Sequence, residues 1–125
     1  KGKHILLAED NELNWEFARE MLSELELELD WAENGRICLE KFEKSSAGYY
    51  DAILMDVRMP VMDGYETTRA IRGLERKDAG IPIIAMTADA FLEDIQRCLE
   101  CGMNDHLAKP IDVQAVVRKL KKYLK

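Results

Sequence analysis

Four short apolar runs each lead into a residue able to handle phosphate or metal. Ile5-Leu6-Leu7-Ala8 leads into Glu9-Asp10, and Ala52-Ile53-Leu54-Met55 leads into Asp56. Ile83-Ile84-Ala85-Met86 leads into Thr87, and Leu107-Ala108 leads into Lys109-Pro110. As parallel strands of one sheet, these runs would end at a common edge. Open α/β sheets bind ligands in the crevice outside that edge. Three carboxylates, one hydroxyl and one ammonium would then converge, a set suited to a hard divalent cation and a phosphoryl group.

The elements needed to position them are legible. Strand-like segments are expected over 4–8, 27–31, 51–55, 81–86 and 105–108. Helices are expected over 11–25, 34–44, 63–76, 90–101 and 112–124. Continuous apolar strands alternating with amphipathic helices predict a parallel sheet covered on both faces. Five βα units favour an α/β, flavodoxin-like doubly wound sheet of order 2-1-3-4-5 over a barrel, which needs about eight. Asn34-Gly35 and Asp63-Gly64 mark turns, Gly102 a helix stop, and Asp112 a cap for the last helix. That helix would turn Val113, Val116, Val117, Leu120 and Leu124 inward.

Composition narrows the class. The 125 residues are 47% hydrophobic and 34% charged, enough for one domain, expected over 1–125. The net charge of −6 gives no basic patch for nucleic acid. The lysines between Arg118 and Lys125 suit the last turn of a helix. No stretch has the length of a signal peptide core or a membrane span. The expected location is cytoplasmic, with no direct membrane contact; the isolated domain is expected to be a monomer. The sequence starts without Met, which suggests excision from a longer chain. Three cysteines, Cys38, Cys98 and Cys101, point to reduced thiols. The C-x-x-C of Cys98 and Cys101 ends a helix and has no second pair, so helix packing is expected over zinc or redox chemistry.

Glu9-Asp10-Asn11, Leu54 to Pro60, Met62-Asp63-Gly64, Met86-Thr87-Ala88 and Ala108-Lys109-Pro110 together resemble the motifs of response-regulator receiver domains, in order and spacing over the whole chain. Glu9 to Asn14 and Cys98 to Met103 resemble most the receivers of hybrid sensor histidine kinases. Five motifs at consistent spacing are far more specific than any one.

The resemblance implies a role for each site residue. Asp56 would be the phosphoacceptor, forming an acyl phosphate. Asp10 would bind Mg²⁺ directly and Glu9 through water, with Asp56 and the backbone carbonyl of Arg58 as further ligands; Mn²⁺ is an alternative ion. On local grounds alone, Glu9-Asp10 also reads as a helix N-cap cluster, and Asp10 could serve as both. Lys109 would pair with phosphoryl oxygens, and its bond to Pro110 resembles the family's cis peptide; otherwise it reads as a surface lysine. Thr87 would donate its hydroxyl to the phosphoryl group as the switch, or simply finish a strand. His106 stands where the family carries Tyr or Phe coupled to that threonine. It is either a differently triggered switch or a half-exposed edge-strand histidine. Arg58 and Asp89 stand where the family flanks the path of the attacking water, so they are candidates for tuning the lifetime.

The resemblance also implies a histidine kinase or histidine phosphotransfer partner, docked on the first helix and site loops. In that helix Leu13, Trp15, Phe17, Ala18, Met21, Leu22 and Leu25 span an arc of about 200°, against ~100° needed to cover a sheet. The surplus is either a wide core stripe or a partner surface. The expected function is a Mg²⁺-dependent phosphoacceptor switch with slow self-dephosphorylation, possessing no turnover of its own, within a parent chain that could be a histidine kinase. In the cytoplasm the domain would be either free or tethered to a membrane sensor kinase through that longer parent chain. A magnesium-dependent phosphatase of the haloacid-dehalogenase type would need a second Asp at position 58, where Arg58 stands. A pseudo-receiver used only for docking would not need all five site positions filled.

Overall fold

Successive residues of the apolar runs are buried on opposite faces of one sheet, so both faces need a cover and the runs carry no polar alternation. The structure, a computed structural model, describes residues 3–23, 27–57, 59, 61–87, 92–108 and 113–123; at 87, 92–95, 108 and 113 it describes the backbone alone. The order is β1 (His4–Ala8), α1 (Glu12–Leu22), β2 (Glu28–Ala32), α2 (Gly35–Lys44), β3 (Ala52–Asp56), α3 (Gly64–Arg72), β4 (Ile83–Thr87), α4 (Leu92–Cys101), β5 (Asp105–Ala108) and α5 (Val113–Tyr123). The five strands are parallel in the order β2-β1-β3-β4-β5, as expected.

Ile5, Leu7, Leu54, Ile84 and Met86 pack with Ala18 and Leu22 of α1 and Val116 and Leu120 of α5. Leu6, Ile53, Met55, Ile83 and Ala85 pack with Cys38 and Phe42 of α2, Tyr65 and Ile71 of α3, and Cys98 and Cys101 of α4. All three cysteines are buried packing residues, and burial pushes the Cys38 thiol up to about 12. Inert helix-packing thiols are what the sequence predicts.

Several boundaries move for local reasons. α1 is capped by Asn11, whose side-chain oxygen accepts the amides of Leu13 and Asn14 at 2.9 and 3.2 Å. Asp10 is therefore not the cap, which corrects the dual role open to it in the sequence. α3 stops at Arg72, four residues short of 76, because Gly73 ends it and its N–H closes onto Arg69 and Ala70. The next residues serve another purpose: Arg76 pairs with Asp78 at 2.8 Å and donates to the carbonyls of Phe42 and Glu43, tying the end of α2 to the β4 approach. β3 and β4 each run one residue further than expected, to Asp56 and Thr87, so both end inside the ladder. Gly102 ends α4 with φ +113°, and Arg72 reaches its carbonyl at 2.9 Å. In α5, Val116 and Leu120 are buried and Val117 is half-buried; Val113's side chain, Leu124 and the Asp112 cap lie outside the described residues.

On α1 the sheet takes up only one edge of the apolar arc. Ala18 and Leu22 are buried, and Trp15 and Met21 pack partly, whereas Leu13 is 75% exposed and Phe17 54% exposed. Leu25 lies outside the described residues.

Candidate functional site

Ladder register brings the acidic residues together. Ala8 pairs with Met55, so Glu9 and Asp56 each follow by one position on neighbouring strands. Glu9 is 3% exposed and Asp56 6% exposed, while Asp10 is exposed. One carboxylate oxygen from each of Glu9, Asp10 and Asp56 lies within 4.8 Å of the other two. Three like charges held this close repel one another unless a cation or protons intervene. An all-oxygen, anionic donor set with one member open to solvent fits a hard divalent ion that keeps part of its water shell.

Glu9 is held through both its backbone and its carboxylate. Its N–H donates to Ala32 O at 3.0 Å, and its carbonyl accepts the indole N–H of Trp31 at 2.7 Å. Its carboxylate accepts the Asn11 amide at 3.2 Å and Asn14 Nδ2 at 3.5 Å. The sequence pattern Glu9 to Asn14 thus has a mechanical content: Asn11 caps the helix while Asn14 steadies the buried carboxylate. Trp31 was not singled out by any sequence signal, since an aromatic residue in a strand is ordinary.

The loop after Asp56 is fixed from both sides. Val57 N–H donates to Met86 O at 3.3 Å, and Gly64 N–H returns to Val57 O at 2.9 Å. Asp63 and Glu66 form a reciprocal capping box: the Asp63 carboxylate accepts Glu66 N–H at 2.9 Å, and the Glu66 carboxylate accepts Asp63 N–H at 3.1 Å. Ahead of this box, in the loop after Asp56, Val61 sits at φ +69°, a left-handed conformation that a β-branched residue adopts only under strain. Gly35 at the start of α2 packs against this loop; a Cβ there would lie 2.1 Å from Thr67 Oγ1 and 2.2 Å from Met62 O.

β4 and β5 bring up the other side. Asp56 pairs with Met86, and Thr87 pairs with Ala108, so the Thr87 backbone and the strand end before Lys109 reach the same edge. The Thr87 side chain, Arg58, Asp89, Lys109 and Pro110 lie outside the described residues. His106 pairs with Ala85, on the face covered by α2, α3 and α4, and its side chain is half-buried. The neighbouring Asp105 accepts the His106 N–H and Lys119 Nζ, both at 2.8 Å, and the Tyr123 hydroxyl at 3.2 Å. Burial pushes the Asp105 carboxyl up, but Lys119 and the His106 amide outweigh it, and the net shift is below the usual carboxylate range.

A family model, the response regulator receiver domain, matches residues 5–121. The chain belongs to the response regulator receiver family. The receiver is 38% identical to part of hybrid signal transduction histidine kinase L of Dictyostelium discoideum, over 95% of this chain and 7% of that protein. It is 37% identical to part of the peroxide stress-activated histidine kinase mak3 of Schizosaccharomyces pombe, over 98% of this chain and 5% of that protein. This chain therefore spans a small fraction of the relatives it matches. Among solved structures, the receiver domain of sensor histidine kinase PA1611 from Pseudomonas aeruginosa PAO1 superimposes with a TM-score of 0.87 at 41% identity, covering 98% of both chains. That structure has a magnesium ion coordinated in its active-site cleft. The receiver domain of Saccharomyces cerevisiae Ssk1, in co-crystal with the histidine phosphotransfer protein Ypd1, matches with a TM-score of 0.86 at 27% identity over 98% of this chain and 88% of that one. No helix among the described residues is long and apolar enough to cross a membrane.

Proposed function

We propose that this receiver, a single domain over 1–125, takes a phosphoryl group from a phosphohistidine onto Asp56 and later loses it to water. The observation that carries the reading is the meeting of Glu9, Asp10 and Asp56, with carboxylate oxygens within 4.8 Å at the C-terminal edge of the sheet. Mg²⁺, or Mn²⁺ in its place, would be held by Asp10, Asp56 and the Arg58 carbonyl, with Glu9 acting through water. It supplies positive charge against the acceptor and phosphoryl oxygens. An Asp56 carboxylate oxygen attacks phosphorus, the N–P bond breaks, and the imidazole leaves with its electron pair. Lys109 and the Thr87 hydroxyl receive the phosphoryl oxygens, and His106 follows Thr87 as the switch. Hydrolysis then returns Asp56 and inorganic phosphate. The domain performs only this chemistry on itself, so it is a switch and not an enzyme with turnover. The likeness to receivers within hybrid histidine kinases supports a parent of that class over a stand-alone regulator, with the domain facing the cytoplasm and monomeric when isolated.

The partner is the histidine-bearing helix bundle of a kinase or phosphotransfer domain. Exposed Leu13 and Phe17 on α1, beside the acidic edge, support docking there. The likeness to a receiver crystallised with a phosphotransfer protein supports the same class of partner.

Incubation with Mg²⁺ and acetyl phosphate tests the reading. One alkali- and hydroxylamine-labile phosphoryl group is expected per chain, by intact mass and peptide mapping to Asp56. Full labelling of Asp56→Ala, or a stable adduct elsewhere, overturns it.

A further inference from the structure

We infer that Trp31 is a positioning residue for the acidic site, holding the Glu9–Asp10 peptide in the orientation that aims Asp10 at the metal; the inference rests on the proposed Mg²⁺ site. Trp31 lies on β2 opposite Leu7 of β1, whose side chain belongs to the core under α1 and α5. Its indole stacks on Trp15 of α1, with ring centroids 5.6 Å apart and planes 4° from parallel. The stack leaves the indole one polar group, the Nε1–H, and this donates to the Glu9 carbonyl at 2.7 Å.

That carbonyl belongs to the same peptide plane as the Asp10 N–H, so fixing it fixes the direction in which the chain enters Asp10. Glu9 N–H is already tied to Ala32 O at 3.0 Å. Both peptide groups flanking Glu9 are thus anchored to β2, one by the backbone and one by the Trp31 side chain. Trp31's own carbonyl accepts the Lys41 ammonium, which ties this strand end to α2. The anchor works against a definite load. Asp10 is the exposed member of three clustered carboxylates, and without metal, repulsion from buried Glu9 and Asp56 drives it outward. A ligand held against repulsion binds its ion more tightly, because little reorganisation is left for the binding step; groups that orient a metal's ligands typically contribute 10–100-fold in affinity.

Trp31→Phe tests this, since phenylalanine can keep the stack on Trp15 but has no N–H. Titration calorimetry with Mg²⁺ alone is expected to show affinity about tenfold weaker than in the unmodified chain. Trp15→Phe, which leaves the Trp31 N–H in place, is expected to stay within about twofold of it. A residue that merely stabilised the fold would lower the melting temperature in EDTA and leave Mg²⁺ affinity unchanged; that result for Trp31→Phe overturns the inference. Equal loss in both variants also overturns it, by assigning the effect to packing. A second measurement needs no folded Trp31 variant. The chain has two tryptophans, so indole N–H NMR gives two signals, assigned with Trp15→Phe. The Trp31 signal is expected to move on Mg²⁺ addition, and a Trp31 signal that stays fixed through saturation overturns the inference. Asp10→Asn serves as the control for the site itself. If the unmodified chain binds no Mg²⁺, the proposed site falls; if it binds and Trp31→Phe binds equally, only the role of Trp31 falls.

Discussion

Gly64 lies against Asp56 so closely that a Cβ on Gly64 would stand 2.6 Å from the Asp56 carbonyl oxygen and 2.9 Å from Val57 Cα. Both are backbone atoms of the site strand and its continuation, and neither can swing aside as a side chain can. Gly64→Ala is therefore expected to push the start of α3 away from β3, with a cost of about 1–3 kcal/mol, and to slow phosphorylation of Asp56. Thermal denaturation and acetyl phosphate labelling rates check the two effects; a variant as stable and as fast as the parent refutes the steric argument.

Clustered like charges predict opposite responses to metal and to neutralisation. Mg²⁺ binding only the folded state stabilises it by mass action, by about 2.7 kcal/mol at a hundredfold excess over Kd. Asp56→Asn removes one buried charge from the cluster and is expected to raise metal-free stability by about 1–2 kcal/mol while cutting the Mg²⁺ response. A metal-free Asp56→Asn protein that melts below the parent contradicts mutual repulsion.

Asp105 should limit acid stability. Its folded carboxyl lies below its unfolded value because Lys119 and the His106 amide outweigh the effect of burial. The sign follows from linkage: the contribution is complete above the unfolded pKa of about 3.9 and is lost as pH falls through the lower folded value. Asp105→Asn should therefore be less stable near neutrality and lose less stability on acidification. Melting temperatures across that acid range check this; parallel curves for parent and variant would count against it.

His106 sits on β5 opposite Ala85, two positions before Ala108, the ladder partner of Thr87. Beryllofluoride with Mg²⁺, which mimics the phosphorylated state, is expected to shift the His106 ring signals. Histidine NMR signals that ignore the mimic make His106 a bystander.

Phosphoryl lifetime is expected to depend on Arg58 and Asp89, two oppositely charged residues at the positions that flank the path of the hydrolytic water in the family, if they act as a pair. An exposed pair contributes only about 0–1 kcal/mol to stability, so the effect is expected in kinetics. Either Arg58→Ala or Asp89→Ala should speed dephosphorylation, and the double variant should be little faster than the singles. Rates that are unchanged, or that multiply in the double variant, exclude gating by the pair.

The sequence alone determined the α/β alternation, the strand order and the strand ends at which Glu9, Asp10, Asp56 and Thr87 gather. Those features are repeated locally: four of the five strands are apolar runs, helix periodicity recurs between them, and a parallel sheet has few ways to arrange such units. The surplus apolar edge of α1 was also legible, though not which residues it would comprise; packing against the sheet chose Ala18 and Leu22 for burial and left Leu13 and Phe17 outside. Only the tertiary structure decided how the site is held. Asn11 displaced Asp10 as the cap of α1 because its amide oxygen reaches two free N–H groups at once. Gly64 is required by the nearness of α3 to β3, a contact between elements and not a turn conformation. Trp31 reaches Glu9 across 22 residues of sequence. Such contacts depend on distances between elements that no local pattern encodes, so they came into view only once the elements were packed.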